Sequence, residues 1–217
     1  MKRFFHSELD NLKSHLLLMG EKANDAVGKA ILALQERDVD LAMEVVKGDD
    51  DIDQLEIEID RESTRYLTLR SPVASDLRLI TVAIKASHDL ERVGDEARNI
   101  AKRTRKMVLK SGLTGDLLNI PDMTAIARDM LRDALQCFIQ EEPQKAQAVL
   151  TKDEEVDQLN KANFKQFIQM AKNEPEDINR YLDLIFISKS LERIADHATN
   201  LAEEVIYLMT AEEARHQ

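Results

Sequence analysis

The sequence predicts an all-α protein built as two tandem three-helix bundles, six long antiparallel helices related by an internal repeat. Three observations lead there. Hydrophobic residues make up 43% of the chain but aromatics only 4%, and just 6 Gly and 4 Pro punctuate 217 positions. That mixture favours long aliphatic helices over sheets. Apolar residues recur in steps of three and four rather than alternating. Finally, the stretch DLERVGDEARN (Asp89 to Asn99) returns about a hundred residues later as SLERIADHATN (Ser190 to Asn200).

The punctuation divides the chain into segments at roughly 4–37, 40–70, 73–110, 121–141, 143–172 and 176–211. The first carries a seam of Phe5, Leu9, Leu12, Leu16 and Met19, read as core. Asp38-Val39-Asp40 ends it, and Asp38 or Asp40 is placed to cap the second helix. Ser71 is the expected N-cap of the third, with Pro72 in its first turn. Ser111 to Asp116, SGLTGD, holds two of the six glycines and reads as the one linker. Pro121, Pro143 and Pro175 each sit just inside the start of a later helix. In the fourth, Cys137 lies among Leu131, Leu135 and Phe138 and is expected to be a small core residue. As the lone cysteine it makes no internal disulfide, which fits a reducing compartment.

Two offsets define the repeat. Val45, Ile52, Leu55 and Ile59 of the second segment match Val149, Val156, Leu159 and Asn163 of the fifth at 104 residues. The third segment's seam is Ala83, Ser87, Leu90, Gly94, Ala97, Ala101, Thr104 and Val108. It matches Leu191, Ala195, Ala198, Ala202, Val205 and Met209 of the sixth at 101. Steps of four and three are bundle seams, and small residues there let helices approach closely. Two repeats follow, residues 1–112 and 113–217.

A formal net charge of −11 argues against nucleic acid as a partner, because a phosphate backbone needs a basic footprint. No targeting segment is read in MKRFFHSELD, since Glu8 and Asp10 interrupt it, and LLLM (Leu16 to Met19) is far too short to span a membrane. A soluble, cytoplasmic protein without membrane insertion is expected, with peripheral association left open.

The chemistry is carried by acidic pairs. Glu91 with Asp95 and Glu192 with Asp196 each stack two like charges on one helix face, a mildly unfavourable arrangement. With 41 acidic residues in the chain, chance gives about eight such pairs. Two at equivalent repeat positions, each beside the seam and followed a turn later by Asn99 or Asn200, are a sharper signal. Asp49 and Asp53, with Asp153 and Asp157 as their counterparts, are expected to approach from the neighbouring helix. Oxygen donors at successive turns suit a hard cation such as Mg, Mn, Ca or ferric iron. Ion pairing with Arg92, Arg98 or Arg193, or an ordinary solvated face, are the alternatives. His88 and His197 lie nearby at non-equivalent positions and are read as surface or supporting residues. No glycine-rich phosphate loop, nucleophile elbow, Cys pair or Glu-x-x-His appears, so an enzyme is not expected.

Three stretches, Ala33 to Asp60, Ser71 to Ala101 and Leu191 to Tyr207, resemble the PhoU family of bacterial phosphate-transport accessory and regulatory proteins. The resemblance runs almost end to end. It implies metal clusters on the bundle surface, held by Glu91, Asp95 and Asn99 in one half and by Glu192, Asp196 and Asn200 in the other. Asp49, Asp53, Asp153 and Asp157 are the supporting ligands. The implied cofactors are oxygen-ligated metal ions in multinuclear clusters, with Fe, Mn, Mg and Zn all open. Asp89 is matched by Ser190 and Gly94 by Ala195, which makes a weaker or differently loaded second site the expectation. The resemblance also implies a non-catalytic homodimeric adaptor between the ATPase subunit of a phosphate ABC transporter and a sensor histidine kinase. Such an adaptor represses the phosphate-starvation response when phosphate is plentiful. Metal buffering or storage, or regulation of a different phosphate transporter, are the competing readings.

Overall fold

A computed structural model describes residues 2–70, 72–111, 115–140 and 142–211. Six α-helices account for nearly all of it: α1 (Lys2–Glu36), α2 (Val39–Arg70), α3 (Ala74–Ser111), α4 (Ile120–Gln140), α5 (Pro143–Asn173) and α6 (Ile178–Thr210), the last preceded by a 3-10 turn at Pro175–Asp177. Helices α1, α2 and α3 pack on one another, as do α4, α5 and α6. The two bundles meet along α3 with α6 and α1 with α4.

The chain turns where its local chemistry allows. Arg37 adopts φ 59°, and the Asp38 amide donates to the Ala33 carbonyl, closing α1 in a left-handed cap. The same Asp38 accepts from the Leu41 amide at 2.9 Å, so one side chain ends α1 and opens α2. Ser71, the expected cap of α3, lies outside the described residues, as do Gly112 to Thr114 at the proposed boundary between repeats. Pro72 precedes α3 by two residues instead of occupying its first turn; the Leu77 amide donates to the Val73 carbonyl and sets the start. Beyond the linker, Asp116 Oδ1 accepts from the Leu118 amide, and Pro143 opens α5 where its missing N–H costs nothing.

The seams read from the spacing are the core. Leu12, Leu16 and Met19 of α1 are buried, and Leu9 packs against them; the side chain of Phe5, the first residue of that seam, lies outside the described ones. In α3 the line from Ala83 to Thr104 is buried throughout, with Val108 half-buried at its end. In α6 Leu191, Ala195, Ala198, Ala202 and Val205 are buried, whereas Met209 has reached solvent. Cys137 is buried beside Phe138, as expected of a packing residue.

The seam matched between α2 and α5 departs from the pattern at one position. Asn163 is fully buried where the first repeat has Ile59. Its Oδ1 accepts from the backbone and side-chain nitrogens of Asn119 at 3.1 and 2.9 Å, and its Nδ2 donates to Ser188 Oγ at 3.1 Å. A buried amide is tolerated when its partners are buried with it, and here they fasten the end of the linker to α5 and α6.

Candidate functional site

The acidic pairs sit where α3 meets α2 and where α6 meets α5. Close approach of α2 and α3 depends on Gly94: a Cβ there would stand 2.9 Å from Ile52 Cδ1 and 3.3 Å from Asp49 Oδ1. We expect Gly94→Leu to cost about 1–3 kcal/mol through overpacking, read by urea denaturation, while Ala195 at the equivalent place already accommodates a Cβ.

In the first bundle Asp49 is buried and Asp53, Glu91 and Asp95 are half-buried, close enough to act on one another electrostatically. Burial, and then Asp95, pushes Glu91 above the usual carboxylate range, with Glu56 and Asp53 adding to it and Arg92 opposing. Asp49 is likewise raised by burial, against the Arg98 guanidinium. That guanidinium bridges the helices, donating to Asp49 Oδ2 and, at 2.5 Å, to Asp95 Oδ1. Arg92 lies 3.3 Å from both Glu91 and Asp95. Much of the first cluster's charge is therefore answered internally. Asn99 is exposed.

The second bundle places Asp153, Asp157, Glu192 and Asp196 together, with a different balance. Where the first repeat has Arg98, the second has Thr199, a neutral hydroxyl facing Asp153. Burial, then Asp157 and Glu192, raise Asp153. Asp196 is pushed up to about 6, by burial first and then by Glu192 and Asp153. The counter-charges are two lysines: Lys189 reaches Glu192 at 2.5 Å and Lys161 reaches Asp157 at 3.2 Å. Arg193 is turned away, to Glu96 of the other bundle at 3.0 Å.

Asn200 does not join its cluster through its amide nitrogen, which donates to Asp89 at 3.1 Å across the α3–α6 seam. His197 Nδ1 lies 2.8 Å from the same Asp89 oxygen, and His88 Nδ1 lies 2.5 Å from Glu56. Asp89 thus faces α6 rather than the acidic cluster, so its replacement by Ser190 in the second repeat removes no donor from that site. Spacing from Asp53 to Glu56, one helical turn, could have added Glu56 to the first cluster. The ion pairing with Arg92 and Arg98 that the sequence offered as an alternative is present, but Arg98's reach across to Asp49 was not marked in it.

Among the described residues, no group of three or more acidic, histidine or cysteine side chains closes into a metal cage. The carboxylates line a surface instead. Desolvated, mutually repelling oxygens with few cations among them suit a hard cation in the second cluster, whereas guanidiniums already stand between the carboxylates of the first.

A family model, the PhoU domain, matches residues 16–104 and 120–205. The chain belongs to the PhoU family. It is 40% identical over all 217 residues to a phosphate-specific transport system accessory protein PhoU homolog of Aquifex aeolicus, covering 97% of that protein. It is 38% identical to the Pseudomonas putida homolog over 98% of this chain and 83% of that one. The crystal structure of PhoU from Pseudomonas aeruginosa superposes with a TM-score of 0.92 at 37% identity, over 96% of this chain and all of the other. A phosphate transport system regulatory protein PhoU from Streptococcus pneumoniae gives 0.89 at 32%, over 97% and 99%. Membership places the chain among the accessory and regulatory proteins of phosphate transport. No helix among the described residues is long and apolar enough to cross a membrane.

Proposed function

We propose that this chain is a non-catalytic adaptor that holds down the phosphate-starvation response when phosphate is plentiful. It works in the cytoplasm as a homodimer of two-repeat chains, the repeats being 1–112 and 113–217. It links the ATPase subunit of a phosphate ABC transporter to a sensor histidine kinase. The observation that carries the reading is the match to PhoU proteins along nearly the whole chain, in sequence and in fold.

Oxygen-ligated metal ions belong to this reading. Asp153, Asp157, Glu192 and Asp196 would hold them in the second bundle, and Asp49, Asp53, Glu91 and Asp95 in the first, with Asn99 and Asn200 at the margins. Because the donors line a surface, such ions would keep part of their water, as Mg does readily. Bound cations would turn the repulsion between stacked carboxylates into attraction and stiffen the face on which they lie.

The test is a phosphate-responsive alkaline phosphatase reporter in the source bacterium grown in excess phosphate. Deleting the gene should raise activity and restoring it should bring activity down. Glu91→Gln with Glu192→Gln should restore repression only in part. Activity that stays low without the gene would sink the repressor role and favour metal buffering or service to another phosphate transporter.

A further inference from the structure

The α3–α6 face carries a second feature, distinct from the acidic clusters. The two helices run antiparallel, tied by Lys85 to Glu204 at 2.9 Å, Glu96 to Arg193 at 3.0 Å and Arg103 to Asp183 at 3.0 Å. The C-terminal part of α3 therefore lies beside the N-terminal part of α6. There Lys102, Lys106 and Lys110 are exposed on α3, in a chain whose net charge is −11. Lys106 is paired with Asp183 at 2.9 Å, and Glu176 and Asp177 line the hollow beside Lys106 and Lys110, so Lys102 and Lys110 carry most of the positive charge on offer. Beside them Ile178, Leu182 and Phe186 stand 47%, 42% and 50% exposed on α6. Their spacing of four residues makes one apolar stripe about 12 Å long. The Arg103 guanidinium stacks 4.2 Å from the centre of the Phe186 ring, holding that ring at the edge of the basic strip.

The internal repeat sharpens the point. At the offset of 101, Lys102 and Arg103 correspond to Glu203 and Glu204. The same structural position is basic at one end of the face and acidic at the other. A pseudo-symmetric scaffold has been made polar along its length, which would fix one orientation for anything bound on it.

We infer that the end of the face formed by Lys102, Lys106, Lys110, Ile178, Leu182 and Phe186 docks an acidic amphipathic helix of a partner protein. This rests on the adaptor reading and adds where, and by what chemistry, one partner is held. Charge complementarity sets the sign, and an apolar stripe flanked by cations is the complement of an apolar helix face flanked by Asp and Glu. The length of the patch decides against a membrane. A bilayer is flat and would extend along α3 and α6 past the basic end to Glu203 and Glu204, in a chain of net charge −11 that anionic lipid repels. A helix of three turns covers the basic end alone.

The test is fluorescence anisotropy with the full chain and a labelled synthetic helix about 15 residues long, bearing leucines on one face and glutamates beside them. Lys102→Glu with Lys110→Glu, or Phe186→Ser, should weaken binding roughly tenfold or more, and the same helix carrying lysines should not bind. Lys165→Glu, exposed on α5, should change nothing. All substituted residues are exposed, and unchanged thermal melts will show that the fold is kept. Equal binding of both peptides, or indifference to the charge reversals, overturns the inference. So does preference for phosphatidylglycerol vesicles, released by the same reversals, which would make the patch a membrane contact. Self-association in sedimentation that those reversals abolish would overturn it in favour of a second copy of this chain. The reporter assay is read without the peptide, so loss of the adaptor reading and loss of this docking site are separate results.

Discussion

Replacing Glu192 by Gln together with Asp196 by Asn is expected to abolish cation uptake by the second bundle and to stabilise the cation-free protein. The two effects have one cause. Asp196 is pushed up to about 6 by burial and by Glu192 and Asp153, so near neutral pH the folded chain carries a charge it holds unfavourably. Each unit of such a shift corresponds to about 1.4 kcal/mol. Although its carboxyl is partly desolvated, Asp196 keeps more than a third of its surface in water, and screening reduces this to about 1 kcal/mol to be regained. The sign follows from proton linkage. A carboxyl raised on folding takes up its proton in the native state first, so stability rises as pH falls from about 6 towards about 4, where the unfolded chain protonates too. A bound cation gives the same relief at neutral pH and competes with that proton, so uptake should weaken below about pH 6. Calorimetric titration with Mg or Mn, and thermal melts in chelator between pH 7 and 5, read both effects. The matching pair in the first bundle, Glu91→Gln with Asp95→Asn, should behave differently. Removing Asp95 takes a partner from Arg98, which is left on Asp49, so the cation-free protein should lose stability. Equal behaviour of the two pairs would show that Arg98 does not distinguish the sites.

The contrast between the clusters shows what the sequence revealed and where it stopped. Helix number, order and buried faces followed from the three-and-four spacing of small and aliphatic residues, because such a seam buries well in only one way. The acidic pairs were found by their recurrence at matched positions, and the structure brings each together with the carboxylates of its neighbouring helix. Side-chain direction was not legible. Asp89 and Asn200 face each other across the seam between bundles, an orientation set by how α3 and α6 pack rather than by either helix's own periodicity. Arg98 was among the arginines expected to pair with the acidic residues, and it does so at Asp95; its bridge to Asp49 was hidden, because only the close approach at Gly94 brings that carboxylate within its reach. Its replacement by Thr199 distinguishes the two sites more than the Asp89 and Gly94 differences on which the sequence comparison rested.

Exchanging the seam position where the second repeat has a buried asparagine in place of isoleucine should destabilise the fold in both directions. Asn163→Ile puts the first repeat's residue into the second and increases apolar burial, which by area alone is favourable. It also strips the Asn119 backbone and side-chain donors of their acceptor, and Ser188 of a donor. Unpaired buried groups cost about 1–3 kcal/mol each, so we expect a net loss of about 2 kcal/mol in urea denaturation, with faster proteolysis at the linker. The reverse change, Ile59→Asn, buries an amide at a position that is fully enclosed, on the same buried stripe of α2 as Ile52 and Leu55. With no partner provided, it should cost about 4 kcal/mol from lost packing and unpaired polar atoms together. Stabilisation by Asn163→Ile would mean that Asn163 does not hold the linker, and that the two repeats are interchangeable at this layer of the core. Destabilisation in both directions would show that each repeat has its own packing at this layer, apolar in the first and hydrogen-bonded in the second, where the linker has to be fastened.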